Sequence, residues 1–105
     1  MALDITVTHE ADKCIVCVNG EVDVSNAAEL RSALEAALTG GTSKITADFS
    51  DVSYIDSTGI GVLVGIAHRA QEARVVFVVA HPQKNVARVF DLLGVTEDLN
   101  VREND

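Results

Sequence analysis

A chain of 105 residues, 48% of them hydrophobic, can fill the core of one modest domain but not of two. Sixteen acidic residues against eight basic ones give a net charge of -8, which favours solubility and argues against unassisted binding to nucleic acid or an anionic membrane, leaving a basic protein partner open. The apolar runs are too short to span a membrane, and the start Met-Ala-Leu-Asp-Ile-Thr lacks the basic head and long apolar centre of a signal peptide, so a cytoplasmic setting without membrane insertion is expected.

In chain order, Leu3, Ile5 and Val7 alternate with polar residues and predict a short edge strand over 3–8. Residues 10–13 turn the chain into a second strand over 14–18, which Asn19-Gly20 ends, and the two strands form a hairpin. Residues 21–26 are a polar loop, and Ser25 or Asn26 is placed to cap a helix over 27–38. Ala27, Leu30, Leu34, Ala37 and Leu38 form its apolar stripe, Glu29, Arg31 and Glu35 face water, and Gly40-Gly41 stops it. A third strand over 44–49 puts Ile45, Ala47 and Phe49 on one face, and a polar loop over 50–56 follows, anchored by Val52 and Ile55.

The second helix runs from Ser57 or Thr58 to about Ala70. It carries Ile60, Val62, Leu63, Val64, Ile66 and Ala67, too many for a narrow stripe, so it is either largely buried or meets a partner. Gly61 and Gly65, four apart, are expected to let it approach the sheet closely despite their poor helix propensity. The run Val-Val-Phe-Val-Val within 74–80 suits a central strand. Pro82 fits the first turn of a third helix, with Val86, Val89, Phe90 and Leu93 as its apolar face and Gly94 as its stop. Residues 95–101 form a last short strand or turn, and 102–105 a frayed polar tail. The order β-β-α-β-α-β-α predicts an α/β fold: one domain over 1–101, a mixed sheet of four or five strands, and right-handed crossovers that put the helices mainly on one face.

The densest chemistry lies between Asp48 and Gly61. A polar Asp56-Ser57-Thr58-Gly59 corner opens an apolar helix and sets two hydroxyls beside a carboxylate where backbone N–H groups are free. A phosphoryl group could be added, felt and removed there, and helix capping by the same residues is compatible with that role. Competing readings are weaker. Gly59-x-Gly61-x-x-x-Gly65 lacks the tight strand-to-helix turn and the later carboxylate of a dinucleotide site, and there is no phosphate-binding Gly-Lys-Ser/Thr loop. Ser57 as a nucleophile needs a base, and His9, His68 and His81 are scattered. Asp48, Asp51 and Asp56 lack the spacing of a calcium loop. Cys14 and Cys17 form a C-x-x-C string, but within a strand they face opposite sides, which disfavours a metal or dithiol role. No metal, no cofactor and no catalytic activity are expected.

Three strings together resemble one family. Asn19-Gly20-Glu21-Val22-Asp23-Val24-Ser25-Asn26 resembles the loop-then-helix start of the STAS domain. Ser50-Asp51-Val52-Ser53-Tyr54-Ile55-Asp56-Ser57-Thr58-Gly59-Ile60-Gly61 resembles its phosphorylation corner, and His81-Pro82 through Gly94-Val95 its last helix. The resemblance spans nearly the whole chain and is nearest to the bacterial anti-sigma factor antagonists of the SpoIIAA and RsbV type. It implies phosphorylation at Ser57 by an anti-sigma factor serine kinase, release of the sigma factor by the unphosphorylated form, and reactivation by a PP2C-type phosphatase. It also implies a partner-facing patch of Asp23, Ser25, Asn26, Asp56, Thr58, Gly59 and Ile60 on a monomer. The same fold serves as a regulatory piece of transporters and stressosome-like complexes, which is the main alternative; a small enzyme or nucleotide-binding protein is a more distant one.

Overall fold

The computed structural model describes residues 2–103. These form β1 (Asp4–Glu10), β2 (Lys13–Val22), α1 (Ala27–Thr39), β3 (Lys44–Ile55), α2 (Ser57–Glu72), β4 (Val76–Ala80), α3 (Lys84–Leu92) and β5 (Val101–Arg102). The strands make one mixed sheet in the order β1-β2-β3-β4-β5. β1 is antiparallel to β2, and the other neighbours are parallel.

Alternation along the strands decides where the core lies. Cys14, Val16 and Val18 of β2 and Ile45, Ala47 and Phe49 of β3 are buried on one face. They join Leu30 and Leu34 of α1, Leu63 and Ile66 of α2, and Val86 and Phe90 of α3 in a single cluster. The Phe49 and Phe90 rings lie 6.4 Å apart at 44°, locking α3 onto this face. Cys17 falls on the opposite, half-buried face, as strand spacing requires, and both cysteines are free thiols. Burial pushes both thiols up, and the Asp48 and Asp51 carboxylates push Cys17 further, away from reactive thiolate character.

β2 and β3 run past the stops expected at Asn19-Gly20 and over 50–56. The two segments pair with each other: Asn19 faces Asp51, Gly20 faces Val52, Glu21 faces Tyr54 and Val22 faces Ile55, with register shifts after Cys17 and after Gly20. Gly20 supplies a φ of 128° within this irregular stretch, a conformation that side chains rarely adopt. Those shifts break the period-two pattern, which is why the polar residues read as a loop. β4 pairs with β3 only along 44–48, so the paired extension of β2 and β3 projects beyond the rest of the sheet. Its outer edge is covered by the start of α3. Gln83 Nε2 donates to the Ser50 carbonyl at 3.0 Å, and Asn85 Nδ2 donates to the Ser53 carbonyl at 2.7 Å.

Three smaller expectations need correction. Pro82 precedes α3 instead of entering its first turn, because Gln83 is the N-cap residue. Leu93 lies just beyond α3 and is exposed, so the buried face of that helix is Val86 and Phe90. Arg102, expected in the tail, pairs with Ala80 in β5; Asn104 and Asp105 lie outside the described residues.

Candidate functional site

The extension of β2 and β3 carries two loops side by side. At the end of β3, Asp56 adopts an extended backbone and caps α2, its Oδ1 accepting the Gly59 N–H at 3.1 Å. Asp56 N–H in turn donates to the Val22 carbonyl at 3.1 Å, which ties this corner to the end of β2. Ser57 and Thr58 then form the first turn of α2. Both are exposed, and neither hydroxyl makes a hydrogen bond among the described residues.

Segment 21–26, the end of β2 and the loop after it, is held by its own side chains. Asp23 Oδ1 accepts from the Ser25 N–H at 2.9 Å and from the Ser25 hydroxyl. Those bonds, the hydroxyl's first, hold the Asp23 carboxyl below its ordinary value, so it stays charged. Asn26 Oδ1 accepts the Asp23 N–H at 2.9 Å, and its Nδ2 donates to the Glu21 carbonyl at 2.8 Å. The Asp23 carbonyl accepts from the Asn26 and Ala27 N–H groups and so starts α1.

Of the residues expected on a partner-facing patch, Asp23, Ser25, Asp56 and Thr58 reach the surface together with Ser57. Asn26, Gly59 and Ile60 do not. Asn26 is 1% exposed and Ile60 5%, while Gly59 lies beneath them against Val22 and Ile55. A Cβ at Gly59 would stand 2.6 Å from Val22 Cγ1 and 2.9 Å from Ile55 Cγ1, so this glycine lets α2 press onto the ends of β2 and β3. Close packing was expected of Gly61 and Gly65. Both are exposed, and a Cβ at either meets nothing within 4 Å. They border a groove between α1 and α2 with Arg31, Glu35, Val62, Ile66 and Arg69, where Arg69 and Glu35 pair at 2.6 Å.

Two surface residues escape the sequence reading. Val24 is 74% exposed in segment 21–26, and Tyr54 is 48% exposed beside Glu21 on the extension. The pairing of 19–22 with 51–55 is the signal that would have placed Tyr54 on the extension. His81 Nδ1 contacts the Glu103 carbonyl, and among the described residues no hydrogen bond joins a histidine to Ser57. Nor do the described residues contain a group of three or more His, Cys, Asp or Glu side chains arranged to hold a metal ion. No helix is long and apolar enough to cross a membrane.

The family model of the STAS domain matches residues 2–104. The anti-sigma-B factor antagonist of Staphylococcus epidermidis is 32% identical over 98 residues, covering 93% of this chain and 90% of that protein. An anti-sigma factor antagonist from Mycobacterium paratuberculosis has the same fold, with a TM-score of 0.87 at 21% identity over 95% of this chain and 85% of the other. So does Bacillus SpoIIAA in its phosphorylated form, with a TM-score of 0.73 at 18% identity over 93% of this chain and 90% of the other.

Proposed function

The chain belongs to the STAS domain family, and on that footing we propose that it is an anti-sigma factor antagonist of the partner-switching kind, with Ser57 as its switch. Unmodified, the corner of Asp23, Ser25, Asp56 and Thr58 binds an anti-sigma factor and thereby frees the sigma factor. That anti-sigma factor is also an ATP-dependent serine kinase. It phosphorylates Ser57 and ends the association, and a PP2C-type phosphatase restores it. The chain is the substrate of these enzymes and not itself a catalyst. The S. epidermidis relative's name and the phosphorylated form of SpoIIAA both support this reading.

One observation carries it: an exposed serine hydroxyl with no hydrogen bond among the described residues begins a helix beside a loop that fixes a charged carboxylate. A phosphate on Ser57 adds about -1.5 to -2 charges. The amino end of α2 can accept that charge with little rearrangement, because helix N-termini favour anions. A partner surface shaped for a neutral hydroxyl and for the carboxylates of Asp23 and Asp56 cannot, since it would meet added repulsion and would have to desolvate the phosphate. The switch therefore needs no change of fold.

The test is to phosphorylate the chain with its kinase and ATP and map the modified residue by fragment mass spectrometry. The reading expects phosphate on Ser57, none on the Ser57→Ala chain, and retained partner capture by that variant. Phosphate on Thr58, or undiminished modification of Ser57→Ala, would contradict it.

A further inference from the structure

Asn26 occupies the N-cap position of α1, where an asparagine side chain ordinarily accepts an N–H of the first helical turn. It makes no such bond. Its amide turns back across the loop instead, taking the Asp23 N–H at 2.9 Å and donating to the Glu21 carbonyl at 2.8 Å. Asn26 itself is 1% exposed, so its amide makes these part-buried bonds from a position closed to water. The two residues it grips flank Val22, whose carbonyl accepts the Asp56 N–H. One side chain thus fixes the main chain on both sides of the residue that joins segment 21–26 to the Ser57 corner. The Asp23 carboxylate is oriented at the same time: Oδ1 takes both Ser25 bonds, and the Asn26 N–H also bears on the carboxylate.

We infer that Asn26 is a positioning residue for the switch, holding the Asp23 main chain, and with it the Asp23 carboxylate, in one place next to the corner that Ser57 begins before a partner arrives. Its purpose rests on the partner-switching reading; its geometry belongs to the free chain. An acceptor fixed in advance binds with little ordering cost, and a fixed carboxylate makes the added phosphate charge felt at a defined distance.

The decisive variant is Asn26→Ser. Serine caps a helix about as well as asparagine, but its side chain is too short to span from the Asp23 N–H to the Glu21 carbonyl. In NMR of the free variant, amide exchange at Asp23 should rise by about tenfold or more, the scale expected for one lost buried hydrogen bond. The Asp23 carboxyl should titrate at higher pH than in the parent, while exchange in the body of α1 stays unchanged. The upward movement that Ser57→Asp imposes on the Asp23 titration in the parent should shrink in the Asn26→Ser background. If Asn26 is only a helix cap, serine restores everything; an Asp23 amide and carboxyl that behave as in the parent, or an undiminished response to Ser57→Asp, would overturn the inference. Should Asn26→Ser fail to fold, the parent decides. A protected Asp23 amide beside a fast-exchanging Val24 amide supports the inference, and equal exchange at the two overturns it. None of these readouts uses a partner, so they stand or fall separately from the function proposed above.

Discussion

The first turn of α2 and the two turns after it are equally rich in glycine, yet their glycines do opposite things. Gly59 lies where a methyl group would run into Val22 and Ile55, and it holds the Ser57 corner down on the extension of β2 and β3. Gly61 and Gly65 face an open groove where a methyl group would touch nothing. A glycine spacing therefore says little until it is known which face it lies on. The anchored turn carries the proposed switch serine, and the open turns carry a local weakness in the same helix.

Gly59→Ala should have the largest effect. Overpacking against two buried β-branched side chains destabilises by about 1–3 kcal/mol, with the upper part of that range expected for contacts this short. Urea unfolding should show a lowered midpoint, and Val22→Ala in the same chain should recover part of the loss, a non-additivity that a remote effect would lack. Asp56→Ala removes the cap of the same turn and should cost about 1 kcal/mol. Rapid amide exchange at Gly59 in that variant would show where the loss falls. Gly61→Ala and Gly65→Ala should instead stabilise, each by up to about 1 kcal/mol. A loss of stability in either would mean that the groove is tighter than its geometry implies.

The smallest effect concerns pH. The Ser25 hydroxyl and N–H hold Asp23 below its ordinary value, and the Ser43 hydroxyl, with the Asp12 main chain, does the same for Asp12 at the opposite end of the sheet. A carboxyl whose folded pKa is depressed contributes stability above its unfolded pKa and loses it as pH falls through the folded one. The stability gap between the parent and Ser25→Ala should therefore be widest above the ordinary carboxylate range and close in acid. Asp12 is exposed and Asp23 half-buried at the surface, so solvent screening keeps the gap small. A gap independent of pH would show that Ser25 acts on the loop and not on the charge.

Much of this was legible in the sequence, for a physical reason. The alternation at Cys14, Val16, Val18, Ile45, Ala47 and Phe49, the stripe of α1 and the Asp56 cap are local signals, and each is reproduced in the fold. What escaped depended on pairing between distant segments. Residues 50–55 are polar and irregular, and they become strand only because 19–22 lies alongside them. The burial of Asn26, Gly59 and Ile60 follows from that same pairing, which seats α2 on Val22 and Ile55. The exposure of Gly61 and Gly65 could not be read either, since a period of four names a face without saying what covers it.

The claim that a charge at Ser57 switches binding while the fold stays put is tested most directly by partner capture. The chain would be immobilised once unmodified and once phosphorylated on Ser57, each form exposed to the same native-cell extract, and the captured proteins identified. The account predicts that a kinase-type anti-sigma factor is retained by the unmodified form and lost from the phosphorylated one. Equal capture by both forms, or capture of a transporter or a stressosome scaffold in its place, would contradict it.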